Sequence, residues 1–192
     1  RSQLLSDGSV LLGDIFPFAN DKCLGPSDGW GNFLSFRSED GTLRVERAPI
    51  TGMPLYWFRL ENGVLFTSHL HLVANLLKDV CIDWDLVAHS LSYINMRTER
   101  TGLLGLLELL PGSRLEFDGQ TVRVSSTWSP WRYVRPTLPP NEDELARQLE
   151  HWLIMCHRAW SKSRPDILLE LSGGLDSSIV AAALAGSGAR FV

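Results

Sequence analysis

The stretch ILLELSGGLDSSIVAAALA, residues 167–185, decides how the C-terminal part of this chain is read. Within DILLEL an apolar run is cut off by Ser172-Gly173-Gly174, and Leu175-Asp176-Ser177-Ser178 then opens an alanine-rich segment of helical composition. A loop between a strand's end and a helix's start is a phosphate site by construction. Unpaired N–H groups and the positive end of the helix dipole point into the same space. Gly173 and Gly174 let the backbone approach phosphate oxygens with no Cβ in the way. Ser172, Ser177 and Ser178 add hydroxyl donors. Asp176 makes sense beside an anion once Mg²⁺ accompanies a polyphosphate, because a carboxylate is a natural ligand of that cation. Competing nucleotide motifs fail. GxxxxGK[ST] is absent, and Gly186-Ser187-Gly188 has Phe191 where the third dinucleotide-loop glycine belongs and follows a helix.

Upstream of the loop, Asn141 and Glu144 have the spacing of a capping box. Leu145, Leu149, Trp152, Cys156 and Trp160 then fall on one helical stripe. A helix followed by a buried DILLEL strand, a loop and a second helix predicts the start of an α/β domain with a parallel sheet, over residues 141–192. Before it, WSPWRYVRPTLPP carries four prolines, so residues 129–140 read as a linker.

Residues 1–128 are β-rich. NFLSFRSEDGTLRVER predicts two strands joined across Glu39-Asp40-Gly41, PLYWFRLENGVLFTS two around Asn62-Gly63, and SRLEFDGQTVRVSS two around Asp118-Gly119. Three local hairpins predict an antiparallel meander. Helical stretches interrupt it at HLHLVANLLKD and at DWDLVAHSLSYINM, where Asp83 is the expected N-cap and Leu86, Val87 and Leu91 share a face.

The whole-chain numbers set limits. With 192 residues, 44% of them hydrophobic, the chain can build a core. A net charge of −4 without a run of five or more basic residues gives no reason to expect a nucleic-acid or anionic-membrane partner. Three scattered cysteines, Cys23, Cys81 and Cys156, suggest buried free thiols in a reducing cytoplasm rather than a zinc site or disulfide framework. The chain opens on Arg1 and enters a strand at once, and it stops at GARFV where another strand begins. It reads as a piece of a longer polypeptide.

LSGGLDSS resembles the pyrophosphatase loop of the asparagine synthetase superfamily. Its members cleave ATP between the α and β phosphates, form an acyl-adenylate from a carboxylate, and let an amine attack it. The resemblance implies that Ser172, Gly173, Gly174, Leu175, Asp176, Ser177 and Ser178, with Leu171 and Glu170 before them, bind ATP and its departing pyrophosphate, with Asp176 helping to hold Mg²⁺. WGNFLSF, RAPITGMPLYWFRLENGVLFTSHLHLVANLL, RTGLLGLLELLPGSRLEFDG and WSPW are similar, in the family's order, to pieces of its glutaminase-type domain. The implied architecture is therefore α+β: an Ntn-like antiparallel sheet domain, followed by the start of an adenine-nucleotide-hydrolase-like α/β domain.

Departures from the family's pattern refine the expectation. LLGDIF resembles the family's NGEIYN strand, but Leu12 stands where an oxyanion-hole Asn belongs and cannot donate a hydrogen bond. Ala48 replaces the Asp of its RD..G stretch, and Arg1 is not the N-terminal Cys nucleophile. A glutaminase-type domain kept as scaffold is expected. LLELSGGLDSS, with Glu170, and INMRTERTGLLGLLELLPG are closer to the lasso-peptide cyclases. Those relatives adenylate an Asp or Glu side chain of a precursor peptide, and its own N-terminal amine closes an isopeptide ring. The resemblance thus implies ATP and Mg²⁺, a small-molecule or peptide carboxylate as substrate, and a cytoplasmic ligase. A glutamine-dependent asparagine synthetase and a non-catalytic nucleotide-binding module are the alternatives. No residue of 1–192 is identified as catalytic; the acceptor pocket is expected beyond Val192.

Four further features read as structural. His69 and His71 alternate along SHLHL, as on one face of a strand, without a carboxylate or Cys at ligand spacing. His151 and His157 project from different faces of one helix. Seven tryptophans are spread along the chain as packing residues, and Arg97 and Arg100 of MRTER sit in a solvated loop.

Overall fold

The computed structural model describes residues 2–17, 25–77, 79–134, 141–164 and 166–192. Cys23 and residues 135–140 of the expected linker lie outside them. The chain divides into two compact units, Arg1–Trp131 and Arg132–Val192.

The first unit is a two-sheet antiparallel structure. β1 (Ser2–Leu4), β2 (Val10–Pro17), β3 (Gly29–Glu39), β4 (Thr42–Arg47), β8 (Ser113–Phe117) and β9 (Val122–Ser126) form one sheet in that order. β5 (Tyr56–Leu60), β6 (Gly63–Thr67) and the short β7 (Leu107–Glu108) form the other, in the order β6-β5-β7. Every strand pair is antiparallel. The expected meander is corrected in one respect: β4 pairs with β8, not β5, because the hairpin between them has left to build the second sheet. Alternation along the strands supplies the reason. Leu34, Val45 and Leu115 of the large sheet face Leu55, Trp57 and Leu109 from the segment that builds the small one, and together they form the main core. On the large sheet's other face, Leu11, Phe33 and Ala48 make a smaller cluster.

The turns show how local chemistry sets register. Glu39 pairs with Thr42, leaving Asp40 (φ 49°) and Gly41 (φ 73°) as a two-residue loop with both residues left-handed, the type I′ geometry that matches strand twist. Leu60 pairs with Gly63, so that hairpin turns on Glu61-Asn62, and Gly63 is the first residue of β6 rather than part of the turn. Asp118 accepts hydrogen bonds from the amides of Thr121 and Gln120, which hold its carboxyl below the usual carboxylate range.

Asp83 caps α1 (Trp84–Ser92) by accepting from the amide of Leu86 at 3.1 Å. Leu86 is buried; Leu91, expected on the same face, is exposed, because the helix ends one residue later and nothing described covers its last turn. HLHLVANLLKD forms a 3-10 helix over Leu70–Leu76 rather than an α-helix, burying Val73 alone. His69 and His71 therefore sit at a turn and not on a strand.

The second unit begins at Arg132 and contains α2 (Glu142–Ser163) and α3 (Leu175–Ser187). Asn141 accepts from the amide of Glu144 at 2.8 Å, while the Glu144 carboxylate turns to Arg147 and Gln148, so half of the capping box is made. The expected stripe is corrected: Leu145, Leu149, Trp152 and Trp160 are exposed and Cys156 is half-buried. Helical period fixes which residues share a stripe, but α3 meets the neighbouring one. Ile154 packs where a Cβ on Gly186 would stand at 3.2 Å, and Leu153 and Ile154 line a cleft with Ile179 and Ala183. DILLEL is likewise not a buried strand. It makes one parallel bridge, Ile167 to Phe191, and Leu168 is 88% exposed. A parallel strand is buried when both sheet faces are covered, and no described element covers Leu168.

Candidate functional site

Residues Ser172–Ser178 run from the end of that bridged segment into the first turn of α3, whose N-cap is Gly174. Gly173 has φ +77°, a left-handed conformation that an L side chain resists, and Gly174 is the N-cap of α3 in an extended conformation. The first helical amides, those of Leu175, Asp176 and Ser177, have no carbonyl four residues back within the helix. Asp176 stands in the first turn and is exposed, as are Glu170, Leu171, Ser172, Gly173, Gly174, Leu175 and Ser178; Ser177 is half-buried.

Three hydroxyls expected to face a ligand are engaged within the loop. Ser178 Oγ donates to the Gly174 carbonyl at 2.8 Å and Ser177 Oγ to the same oxygen at 3.2 Å. Ser172 Oγ lies 3.1 Å from Ser177 Oγ and accepts from the Gly174 amide at 3.4 Å. These contacts fold the three hydroxyls onto the loop's own backbone and one another, while Asp176 stays exposed in the first turn of α3. Gly186 and Gly188 serve packing against Ile154 and a left-handed helix C-cap, respectively.

Other sequence candidates fall elsewhere. His69 and His71 stack edge-to-face at 5.6 Å, and Ser68 Oγ lies 2.8 Å from His69 Nδ1. His157 is buried with Nδ1 2.7 Å from the Leu153 carbonyl. Among the described residues no group of three or more His, Cys, Asp or Glu is arranged to hold a metal. Cys81 is exposed and Cys156 half-buried, against the expectation of buried thiols; partial burial pushes the Cys156 thiol up, away from thiolate chemistry. Of the tryptophans expected to pack, Trp57 is buried, whereas Trp84, Trp131, Trp152 and Trp160 are exposed.

Three ion pairs join residues that no local pattern in the sequence connects. Arg47, 3% exposed, donates from Nη1 to Glu108 at 2.6 Å and to the Leu109 carbonyl at 2.7 Å, so a buried pair joins β4 of one sheet to β7 of the other. Arg97 donates to the same carboxylate from the solvent side at 3.0 Å. Arg100 grips Asp83 with two nitrogens, at 3.0 and 2.6 Å, and that grip holds the Asp83 carboxyl below its usual range. Arg97 and Arg100 thus tie their loop to buried carboxylates and are not simply solvated. Only the RVER run carries a trace of this, since strand alternation puts Arg47 on the same face as Val45 and opposite Leu34. On the large sheet's outer face, Asp7, Ser35, Arg37, Arg44, Glu46 and Arg114 line a polar hollow of about 150 Å³. Its arginines are paired with Asp7, Glu39, Glu116 and Glu46.

No protein-family model matches the chain, and no curated protein matches it either. No helix among the described residues is long and apolar enough to cross a membrane.

Proposed function

We propose that this chain belongs to an ATP-dependent synthetase of the asparagine synthetase superfamily, one that joins a carboxylate to an amine. The observation that carries the reading is Ser172-Gly173-Gly174-Leu175-Asp176-Ser177-Ser178 at the mouth of α3, with a left-handed glycine, a glycine N-cap and first-turn amides that have no carbonyl partner within the helix. That donor set fits a polyphosphate. Asp176 fits the accompanying Mg²⁺, most of whose ligands would be phosphate and water oxygens.

In this reading a carboxylate oxygen attacks the α phosphorus and the bond to pyrophosphate breaks. An amine then attacks the acyl-adenylate carbon, AMP leaves, and the amine's proton passes to a base. The loop contributes charge neutralisation and positioning of the β and γ phosphates. Residues 141–192 are then the opening of a parallel-sheet nucleotide domain, and residues 1–128 a glutaminase-type domain retained as scaffold. Leu12 and Ala48 support the scaffold role: both belong to apolar packing and neither can donate to an oxyanion. With Glu170 and INMRTER in place, a precursor-peptide macrocyclase of the lasso type, acting in the cytoplasm, is the favoured member.

The test is AMP release by the full-length protein with Mg·ATP, beside Asp176→Ala. One arm supplies a peptide with a free N-terminus and an internal Asp or Glu; the other supplies aspartate and glutamine. Peptide-dependent AMP, reduced at least about a hundredfold in the variant, is expected. AMP that needs aspartate and glutamine instead would replace the macrocyclase with an asparagine synthetase. No AMP in either arm, with no Mg·ATP binding, would leave a decayed module.

A further inference from the structure

Among the described residues the large sheet ends on β9, which has a hydrogen-bonded neighbour, β8, on one side only. The other free edges are less available. β1 has three residues and β7 two, and β6 is half-buried from Gly63 to Phe66 and buried at Thr67. In β9, by contrast, every residue from Arg123 to Ser126 is exposed. Natural edge strands are commonly blunted by a proline, a bulge or an inward-pointing charge. β9 has none of these. Its register with β8 runs unbroken from Phe117–Val122 to Ser113–Ser126, and its one charge, Arg123, lies opposite Glu116.

We propose that β9 is a self-association edge, pairing antiparallel with β9 of a second copy about a two-fold axis through Val124. The side chains select this register. With Val124 on the axis, Val122 faces Ser126 of the second copy and Arg123 faces Ser125, so no like charges oppose each other directly. An axis at Arg123 would set guanidinium against guanidinium. An axis at Ser125 would bring Val124 against Ser126 and leave the valines apart. Val124 is 48% exposed and shares a face with its register partner Leu115, a core residue. Joining the edges therefore continues an apolar row, Leu115 and Val124 of one copy followed by Val124 and Leu115 of the other. On the opposite face, Arg114, Glu116 and Arg123 extend a charged surface across the seam with no reversal of sign at the axis. A five-residue strand pair is at the small end of specific interfaces, so the association is reversible and concentration-dependent.

The proposal stands apart from the nucleotide loop and is tested on the full-length protein. Sedimentation equilibrium across roughly 1–300 μM is expected to show monomer and dimer in exchange, and Val124→Lys to weaken association at least about tenfold with an unchanged far-ultraviolet spectrum. Register is read separately by cross-linking, in a background with Cys23, Cys81 and Cys156 replaced by serine. Val124→Cys is expected to form a symmetric disulfide under mild oxidation, because residues facing each other across strands lie within disulfide reach. Arg123→Cys, which faces residue 125, is not. This arm decides the matter even if Val124→Lys fails to fold. A protein that stays monomeric throughout, or that cross-links at 123 as readily as at 124, overturns the proposal.

Discussion

Glu108 is the residue on which the first unit's two sheets are tied. Its carboxylate is buried at 7% exposure on a two-residue strand and receives Arg47 from the opposite sheet and Arg97 from the loop above. A buried pair adds little net stability when intact, but removing one partner leaves a desolvated charge behind. Glu108→Ala is therefore expected to cost about 3–5 kcal/mol in denaturant unfolding. Glu108→Gln should fall between the two, since it keeps an acceptor for Arg47 and loses the charge. An effect below about 1 kcal/mol for the alanine variant would mean that Arg47 finds another partner. Among the described residues Arg47 Nε is already buried without a hydrogen-bond partner, so the site has little slack.

At the scale of elements, residues 93–100, the first part of the segment between α1 and β7, are held by arginines rather than by side-chain packing, whereas Leu103 and Leu106 after them join the core. Residues 93–100 are exposed throughout, Asn95 is left-handed at φ 74°, and Arg97 and Arg100 reach buried carboxylates at either side. Asp83 does double duty as helix cap and as the Arg100 partner. Hydrogen bonds from Arg100 and from the Leu86 amide put its folded value below the ordinary 3.8. A depressed carboxyl contributes stability that is present above the unfolded value and lost as pH falls through the folded one. Acidification below the ordinary carboxylate range should therefore loosen α1 and this segment before the sheets. Hydrogen exchange at Leu86 and Val87 should accelerate at low pH, and Arg100→Ala should move that acceleration to higher pH. Exchange indifferent to both would place the hold elsewhere.

These elements also show what the sequence made legible. Asp83 and Asn141 are legible as caps because a cap bonds a residue two or three places away, and the Asp40-Gly41 and Asp118-Gly119 turns are similarly local. The face that α2 gives to α3, the exposure of Leu168 and the pairing of Arg47 with Glu108 depend on partners distant in sequence, which periodicity does not encode. The loop Ser172–Ser178 is an intermediate case. Its glycines and its place before a helix were legible, whereas the turning of the Ser177 and Ser178 hydroxyls onto the Gly174 carbonyl was not.

Across the molecule, the first unit depends on a seam between strands far apart in the chain. Leu115 and Val45, both fully buried, are register partners across β4 and β8 and stand at the centre of the inter-sheet core. Leu115→Ala should lower stability by about 2–5 kcal/mol, read as a shift in the denaturant midpoint at constant slope. A change under about 1 kcal/mol would show that the two sheets close over the gap.

That seam also fixes an order of events. The β3–β4 and β8–β9 hairpins can each form from neighbouring residues within microseconds. The edges they must join, Arg47 and Ser113, are separated by residues 48–112, all of the second sheet included. Closing so long a loop loses chain entropy before any contact compensates for it. Until the small sheet has gathered that length of chain into its own hairpin, β4 and β8 are two more open edges, and the newly made chain must get through that interval without pairing them to a neighbour.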